Sequence, residues 1–441
     1  MQSRMKSATG SIGSGEARPS RNDTGCLGAS DLLERALSRP NLQAALKRVR
    51  QNKGSPGIDG MSVEELPDHL RGHWLELREQ LLAGSYQPRA VRRHAIPKSG
   101  GGVRELGIPT VLDRFIQQAL LQVLQPLIDP SFSPHSYGFR PGRRAHDAVR
   151  AAQAYVQGGR RWVVDVDLER FFDRVNHDVL MSRLAGRIAD HRVLGLIRRY
   201  LEVGIMAHGV VTERHEGTPQ GGPLSPLLAN VLLDEVDREL ERRGHAFVRY
   251  ADDCNVYVRS RRTGDRVMVL LRRLYGKLRL KINESKSAVA FVRGRKLLGY
   301  TFWFAPKGQV QCAVAGKALR TMKERARQIT RRSSGRSIEQ VVAELRSYLI
   351  GWREYFRLSD TPRVFGELDQ WLRHRLRALH LKHWGRGPVI YRELRARGLT
   401  QHQAARVALN AHRWWHNSAH DINRAFPIRY FDQLGVPRLA A

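Results

Sequence analysis

The sequence predicts an α+β fold in which short β-hairpins are combined with many amphipathic helices. The clearest hairpin lies over 247–258, where apolar and β-branched residues flank the acidic pair Asp252 and Asp253. Apolar residues at helical spacing predict a helix over 113–124, and the chain after about residue 305 is helical and strongly basic. With 441 residues, of which 41% are hydrophobic, the chain is long enough for about two or three domains with buried cores.

The charge of the chain points to a polyanionic partner. Lys and Arg number 75 against 42 Asp and Glu, which gives a formal net charge of +33. Nucleic acid is the first choice for such a charge. A membrane is not expected, because no apolar run reaches the roughly 18 residues that a spanning helix needs.

Cysteine usage and the N-terminus indicate a cytoplasmic protein. Cys26, Cys254 and Cys312 are scattered without a C-x-x-C pair, which predicts neither a zinc finger nor a disulfide framework. Residues 1–29 lack an apolar signal core, and their Ser, Gly and charged residues predict a disordered tail.

The first ordered elements are predicted to be helices, beginning near a possible cap at Asp31 and continuing over 42–49. The loop over 52–60 is basic and rich in glycine. It would suit a phosphate backbone, and a plain connector fits the composition equally well.

A second hairpin is predicted from two short strands over 92–98 and 103–109 that flank a glycine-rich turn. Lys98 and Arg104 lie beside its tip, where two cations could close over a triphosphate and neutralise it. A solvated basic hairpin is the alternative. A basic aromatic loop over 136–143 then leads into a helix over 145–156.

A buried strand over 161–168 ends in acidic residues, and its alternation places Asp165 and Asp167 on the same side. Ionised groups at the end of an apolar strand need a partner. One candidate is a metal shared with Asp252 and Asp253, since two carboxylates about 4 Å apart repel by about 4 kcal/mol at an effective dielectric near 20 and hard oxygen ligands suit Mg²⁺. The alternatives are a salt bridge to one of the many arginines and an ordinary acidic surface turn.

The remaining chain alternates loops, helices and short strands. The Gly/Pro loop over 217–226 opens a helix and would let a base pair or sugar lie against its backbone. A helix over 267–278 and further sheet elements over 280–287 and 297–302 follow. Farther on, apolar residues at helical spacing predict a core stripe; they are Leu345, Leu349, Trp352 and Phe356.

The order of these motifs resembles the bacterial group II intron-encoded reverse transcriptase/maturase family, in its compact class C form, over about residues 40–440. The motifs are the Ile-Pro-Lys hairpin, Ser-Tyr-Gly-Phe-Arg, Asp-Leu-Glu-Arg-Phe-Phe-Asp, Thr-Pro-Gln-Gly-Gly-x-x-Ser-Pro, Tyr-Ala-Asp-Asp, Leu-x-x-Asn-x-x-Lys and Leu-Leu-Gly-Tyr. The resemblance implies a right-hand polymerase with fingers and an antiparallel palm sheet over 30–305. It further implies a helical thumb or maturase (X) domain over 306–385 and a basic nucleic-acid-binding segment over 386–441.

The resemblance also implies the metal site. Asp167, Asp252 and Asp253 would be the catalytic carboxylates and hold two Mg²⁺ ions, with the Leu168 carbonyl as a further ligand. One ion would activate the primer 3′-hydroxyl, and the other would steady the leaving pyrophosphate. Asp167 is preferred to Asp165 because the family's first aspartate lies five residues before an aromatic residue.

Further site residues follow from the same resemblance. That aromatic residue, Phe172, would press against the incoming sugar and exclude a 2′-hydroxyl. Lys98 and Arg104 would hold the triphosphate, and Gln220 with Gly221 would lie near the nascent base pair. Lys286 is either the family's later palm lysine or a surface lysine.

The basic C-terminal region resembles an RNA-binding surface. The segment 349–356 resembles the maturase domain, and the residues predicted to contact RNA are Arg353, Arg357, Arg373 and Arg377. Near the end, His412, His416 and His420 stand four residues apart and could share a helical face. Interleaved aromatic and basic residues suit nucleic acid better than zinc, so no zinc is expected.

The predicted function is RNA-directed DNA synthesis together with binding of group II intron RNA, promotion of its splicing and support of intron mobility (retrohoming). The expected partners are the intron RNA, an RNA template, a DNA primer, a DNA target and dNTP. The Cys-rich endonuclease domain of longer members is not found, which puts second-strand cleavage in doubt. The alternatives are an RNA-binding maturase with a vestigial polymerase, and a reverse transcriptase recruited to phage defence or spacer acquisition.

Overall fold

The computed structural model describes residues 30–97, 103–207, 210–212, 216–218, 221–332, 335–419 and 421–440. The tail predicted over 1–29 lies outside these ranges, as do Lys98, Gln220 and His420. Within them, no helix has both the length and the apolar character that a membrane crossing requires.

The helices confirm the predicted pattern of long amphipathic segments. They are α1 (Leu32–Ala36), α2 (Arg39–Gln51), α3 (Leu66–Leu82), α4 (Val111–Ile128), α5 (Ala145–Gln157), α6 (His177–Ala185), α7 (His191–Glu202), α8 (Ser225–Arg242), α9 (Arg261–Lys277), α10 (Gly316–Ile329), α11 (Ile338–Tyr355), α12 (Pro362–Trp384), α13 (Gly387–Ala396), α14 (Gln401–Leu409), α15 (Trp414–Asn417), α16 (Ile422–Ala425) and α17 (Ile428–Gln433). Asp31 stands at the N-cap of α1, although its side chain makes no capping hydrogen bond.

The strands of the described ranges form three sheets, and both predicted hairpins are present. The strands are β1 (Val91–Pro97), β2 (Val103–Ile108), β3 (Trp162–Val166), β4 (Ile205–Ala207), β5 (Val210–Thr212), β6 (Ala246–Tyr250), β7 (Asp253–Val258), β8 (Ala288–Phe291), β9 (Lys296–Leu297), β10 (Tyr300–Phe304) and β11 (Val310–Val314). Their orders are β2-β1-β4-β5, β6-β7-β3-β8 and β11-β10-β9. The fold is therefore α+β, as predicted.

The antiparallel sheet β6-β7-β3-β8, called the central sheet below, packs against a hydrophobic core on each face. Because side chains alternate along a strand, Val164 of β3 faces a core formed with helices α4 and α6–α9. Its neighbour Val163 faces a second core formed with α5 and the helices that follow residue 316. The sheet is thus a shared layer between the two halves of the chain.

Residues 280–287, predicted as a sheet element, form a turn instead, and this part of the prediction is wrong. The backbone N–H groups of Lys286 and Ser287 both donate to the Asn283 carbonyl, and the Ser285 hydroxyl donates to the Asn283 side chain. Such local polar bonds favour a turn over a strand. In place of a strand ladder, an isolated bridge pairs Ile282 with Leu168, just beyond the end of β3.

The predicted apolar stripe of α11 is core, as expected. Leu345 and Leu349 are fully buried, and Trp352 and Phe356 are nearly so. The boundary predicted between 305 and 306 falls in the turn joining the paired strands β10 and β11. This hairpin contributes to the same core as α11.

Candidate active site

The acidic turn, residues Ala251 and Asp252, joins β6 to β7 by the shortest possible route. Tyr250 and Asp253 pair directly across it. Ala251 has φ 58°, in the left-handed region. This conformation costs a residue with a Cβ roughly 1–2 kcal/mol, so the surrounding structure must hold the turn in place.

Gly138, from the Ser-Tyr-Gly-Phe-Arg motif, packs directly on this turn. A Cβ added to Gly138 would lie 2.1 Å from the backbone nitrogen of Ala251, so no side chain fits there. The Asn230 amide of α8 donates to the Gly138 carbonyl at 3.0 Å. The motif therefore serves as a support for the acidic turn.

A single buried arginine, Arg249, and its hydrogen-bond partners hold the turn from the other side. Arg249 and Asp237 both have 0% exposed side chains, and Arg249 donates to both carboxylate oxygens of Asp237 at 2.7–2.9 Å. It also donates to the Ala251 carbonyl at 2.9 Å, to Asn230 at 2.8 Å and to the Ser136 hydroxyl at 2.7 Å. Sequence reasoning treated Arg249 only as a strand residue. The available signal was a charged side chain in an otherwise apolar strand, which is seldom buried unless paired.

The strand register brings the predicted carboxylates together. Asp165 of β3 lies opposite Asn255 of β7, so Asp167, two residues on, comes level with Asp253. Asp165, Asp167 and Asp253 line one cleft of about 520 Å³. Asp253 stays accessible, yet restricted hydration, followed by repulsion from neighbouring carboxylates, raises its pKa to about 6.

Two of these carboxylates have cationic partners of different kinds. Arg295 forms a direct ion pair with Asp165, the alternative that the sequence had left open. Burial raises the pKa of Asp165, and Arg295 opposes that effect. Lys286 is mostly exposed and lies 3.5 Å from Asp167. It lines the same cleft as these carboxylates.

The backbone of Asp167 is fixed by the turn over 280–287. Its N–H donates to the Ser287 hydroxyl at 3.0 Å, and its carbonyl accepts from the Asn283 N–H at 2.8 Å. These bonds hold the segment that contains the Leu-x-x-Asn-x-x-Lys motif against the end of β3. The adjacent Glu169 N–H donates to the Lys281 carbonyl. The hydrogen bonds on either side of Leu168 therefore do not involve the Leu168 carbonyl.

The donor set fits Mg²⁺ bound together with a phosphorylated substrate. Among the described residues, no group of three His, Cys, Asp or Glu is close enough to hold an ion by itself. Mg²⁺ is usually held by one or two carboxylates, water and substrate phosphates, so a complete protein cage is not required. Burial and then repulsion between carboxylates raise the pKa of Asp253, and a divalent cation would relieve the repulsion.

A second cavity, of about 490 Å³, contains the predicted sugar-contacting residue and is called the aromatic cavity below. Phe172 lines it together with Gly221. The Thr218 N–H donates to the Phe172 carbonyl at 2.7 Å, which ties the Gly/Pro loop to Phe172. Arg104 lies in β2 opposite Ile96.

The predicted RNA-binding arginines differ in their placement. Arg353 is exposed, Arg357 pairs with Glu354 and Arg373 is half-buried. Arg377 is buried, and its Nε and Nη2 both donate to the Phe426 carbonyl at 3.1 and 2.9 Å. This placement contradicts the prediction for Arg377, because its guanidinium anchors the C-terminal segment and is turned away from solvent.

Sequence reasoning missed a cluster of cations on tryptophan rings. Lys323, Arg327 and Arg375 surround the Trp371 ring. The Trp414 ring likewise lies beneath two cations, Arg332 and Lys382.

The predicted histidine face is not formed as expected. His412 precedes the four-residue helix α15, which contains His416, so these two residues do not share one helix. His420 lies outside the described ranges.

Two family models match this chain in the order that the sequence motifs predict. Residues 96–302 match the model described as reverse transcriptase (RNA-dependent DNA polymerase). Residues 319–398 match the model described as group II intron, maturase-specific domain. The chain thus combines a reverse transcriptase domain with a maturase-specific domain that follows it. The chain belongs to the family of group II intron-encoded reverse transcriptases and maturases.

Relatives from bacteria support this assignment. Protein YkfC of Escherichia coli (strain K12) is 38% identical over 218 residues, which cover 48% of this chain and 57% of the relative. Group II intron-encoded protein LtrA of Lactococcus lactis subsp. cremoris is 36% identical over 215 residues, which cover 47% of this chain and 34% of the relative. The matched region therefore spans less than two thirds of either relative.

One solved structure, titled "Partial Cas6-RT-Cas1--Cas2 complex", is 25% identical with a TM-score of 0.37. That match covers 56% of this chain and 42% of the other, and the score is too low to define a shared overall fold.

Proposed function

We propose that this protein is an RNA-directed DNA polymerase that also binds group II intron RNA and promotes its splicing and mobility. The observation that carries the proposal is the acidic turn, strained at Ala251 and fixed beside Asp167 by two separate supports. Strain of this kind persists only where the surroundings enforce it, and it clusters at functional sites.

In this mechanism, Asp167, Asp252 and Asp253 would hold the Mg²⁺ ions, with the Leu168 carbonyl as a further ligand. When bound, the ions supply activation of the primer 3′-hydroxyl and stabilisation of the leaving pyrophosphate. The chain's own part is to keep the carboxylates in register and ionised. The β3–β7 ladder provides the register, and a pKa of about 6 leaves Asp253 mostly ionised at neutral pH.

We also propose which residues would bind the incoming nucleotide. Phe172 would restrict the space at the sugar, and Gly221 with Gln220 would lie along the nascent base pair. Lys98 and Arg104 of the β1–β2 hairpin would neutralise the triphosphate. The aromatic cavity, which contains Phe172 and Gly221 together, supports this arrangement.

The proposed nucleic-acid partners are the intron RNA, an RNA template, a DNA primer and a DNA target. The net charge of +33 supports this class of partner. Arg353, Arg357 and Arg373 remain the proposed phosphate contacts in the maturase region, because each keeps at least part of its side chain in contact with solvent.

The test is Asp252→Asn, assayed for both activities on the same purified protein. The substitution keeps the side-chain volume and removes one charge, so folding should survive, as circular dichroism can verify. Loss of a charged ligand should reduce cDNA synthesis by orders of magnitude. Splicing of the intron at low Mg²⁺ should persist, because it needs only the binding surface.

The control is Asp265→Asn, which removes the same charge from an exposed position on α9. Robust cDNA synthesis by Asp252→Asn would refute the catalytic assignment. Loss of both activities in folded protein would refute separate surfaces for the two functions. A wild-type protein that makes cDNA but does not promote splicing would instead favour recruitment to another task, such as spacer acquisition.

A further inference from the structure

Phe139 is an exposed aromatic residue held in a strained backbone conformation. Its φ is 61°, in the left-handed region, and the residue is 41% exposed although Gly138 before it is buried. A phenylalanine gains nothing from this conformation, which glycine would adopt without a steric cost.

The chain on both sides of Phe139 is fixed, so the strain cannot relax locally. On one side, Gly138 is pressed against the acidic turn. On the other, Arg140 donates to the Asp129 carboxylate at 2.9 Å and to the Ser133 carbonyl at 2.6 Å, and its side chain is 5% exposed. The structure thus fixes the backbone that carries the ring, next to the residue that supports the turn.

The Phe139 ring lines the aromatic cavity, which offers the chemistry of a base-binding site. Phe172, Pro223 and other apolar groups form its walls, and Arg48 and Arg114 add positive charge. Among the described residues, no carboxylate lines the cavity. A flat apolar ring in a cationic surrounding recognises a molecule with a planar base and a phosphate.

We propose that Phe139 is a stacking platform for a nucleic-acid base in this cavity. This inference rests on the proposed polymerase function and adds a specific contact to it. The base comes either from the template strand or from the incoming nucleotide, and both present the same π face to the ring. A base stacked on an aromatic side chain typically contributes enough that its loss weakens binding by about ten- to a hundredfold.

The test compares Phe139→Ala and Phe139→Trp in single-nucleotide primer extension. The Ala variant should weaken nucleotide or template binding about tenfold or more, and the Trp variant should retain most of it. The matched control is Phe291→Ala, which removes a ring of similar exposure, 39%, from β8. Phe139→Gly should bind as poorly as Phe139→Ala. Its melting temperature should be at least as high as that of Phe139→Ala, because glycine relieves the strained φ.

An abasic template position opposite the incoming nucleotide distinguishes the two sources. If the template base stacks on Phe139, wild type and Phe139→Ala should behave alike on the abasic template. If the nucleotide base stacks, the defect should persist there. Phe139→Ala within twofold of wild type on both templates would overturn the proposal.

A binding measurement separates this inference from the proposed function. With 2-aminopurine at the template position, stacking on the ring quenches fluorescence, and Phe139→Ala should restore it without any need for catalysis. For a template base, this readout holds even in a protein that makes no cDNA. For a nucleotide base, 2-aminopurine triphosphate bound to the primer–template complex provides the same readout. Unchanged fluorescence with both probes would overturn the proposal.

Discussion

Replacing Arg249 with methionine should separate the stability of the fold from the support of the acidic turn. The substitution keeps an apolar chain of similar length and leaves Asp237 buried, with 0% of its side chain exposed and no cationic partner. Removing one partner of a buried ion pair typically costs about 3–5 kcal/mol. A domain is stable by only about 5–15 kcal/mol, so the loss should be plain in a urea titration followed by circular dichroism.

The double variant Arg249→Met with Asp237→Leu should recover much of that stability, because no charge is left buried without a partner. It should not recover activity, because the Ala251 carbonyl lacks its 2.9 Å donor in both variants. Primer extension should therefore be low in the single and the double variant alike.

The control is Arg363→Met, which breaks a surface pair with Glu367 in which the arginine is 91% exposed. Such pairs contribute only about 0–1 kcal/mol. The reasoning fails if Arg249→Met is as stable as this control, or if the double variant synthesises DNA at the wild-type rate.

Three further predictions concern the charges and the sugar contact. Asp253 has a pKa of about 6 in the folded chain against 3.8 ordinarily, so without Mg²⁺ its contribution to stability should fall as pH rises from about 4 through 6. For this accessible group the effect should be about 1 kcal/mol after solvent screening, and Asp253→Asn should abolish it in urea titrations with chelator, whereas equal pH profiles would contradict the shift. Phe172→Ala should raise rNTP incorporation relative to dNTP, and an unchanged ratio in active protein would exclude the sugar contact. Replacing Arg353, Arg357 and Arg373 together by glutamine should make the salt dependence of RNA binding shallower by about 0.7 per lost contact, whereas Arg71→Gln should not, and equal slopes would remove these arginines from the RNA surface.

Local patterns predicted the parts of the fold that depend on neighbouring residues. The strands flanking Asp252 and Asp253, helix α4 and the stripe ending at Phe356 follow from periodicity over a few turns, and the structure contains them. The carboxylate cleft could be anticipated because strand alternation orients Asp165 and Asp167 similarly.

Contacts between distant segments could not be read from the sequence. Arg249 meets Ser136, which is 113 residues away, and Asp165 meets Arg295, which is 130 residues away. Arg377 looks like its neighbour Arg373 in a helical pattern, and only the packing of Phe426, 49 residues away, buries it. Whether a side chain is buried depends on a partner residue far away in the sequence, and local periodicity carries no information about that partner.

The central sheet limits how such proteins can exchange domains by genetic recombination. Val163 and Val164 are neighbours in β3, yet they complete two different cores, one of which includes the helices that follow residue 316. A genetic crossover near residue 305 would join this sheet to a foreign set of helices, leaving mismatched apolar surface on one face. Recombinants should survive only if the new partner reproduces that buried layer, so the two domains should be inherited as a unit.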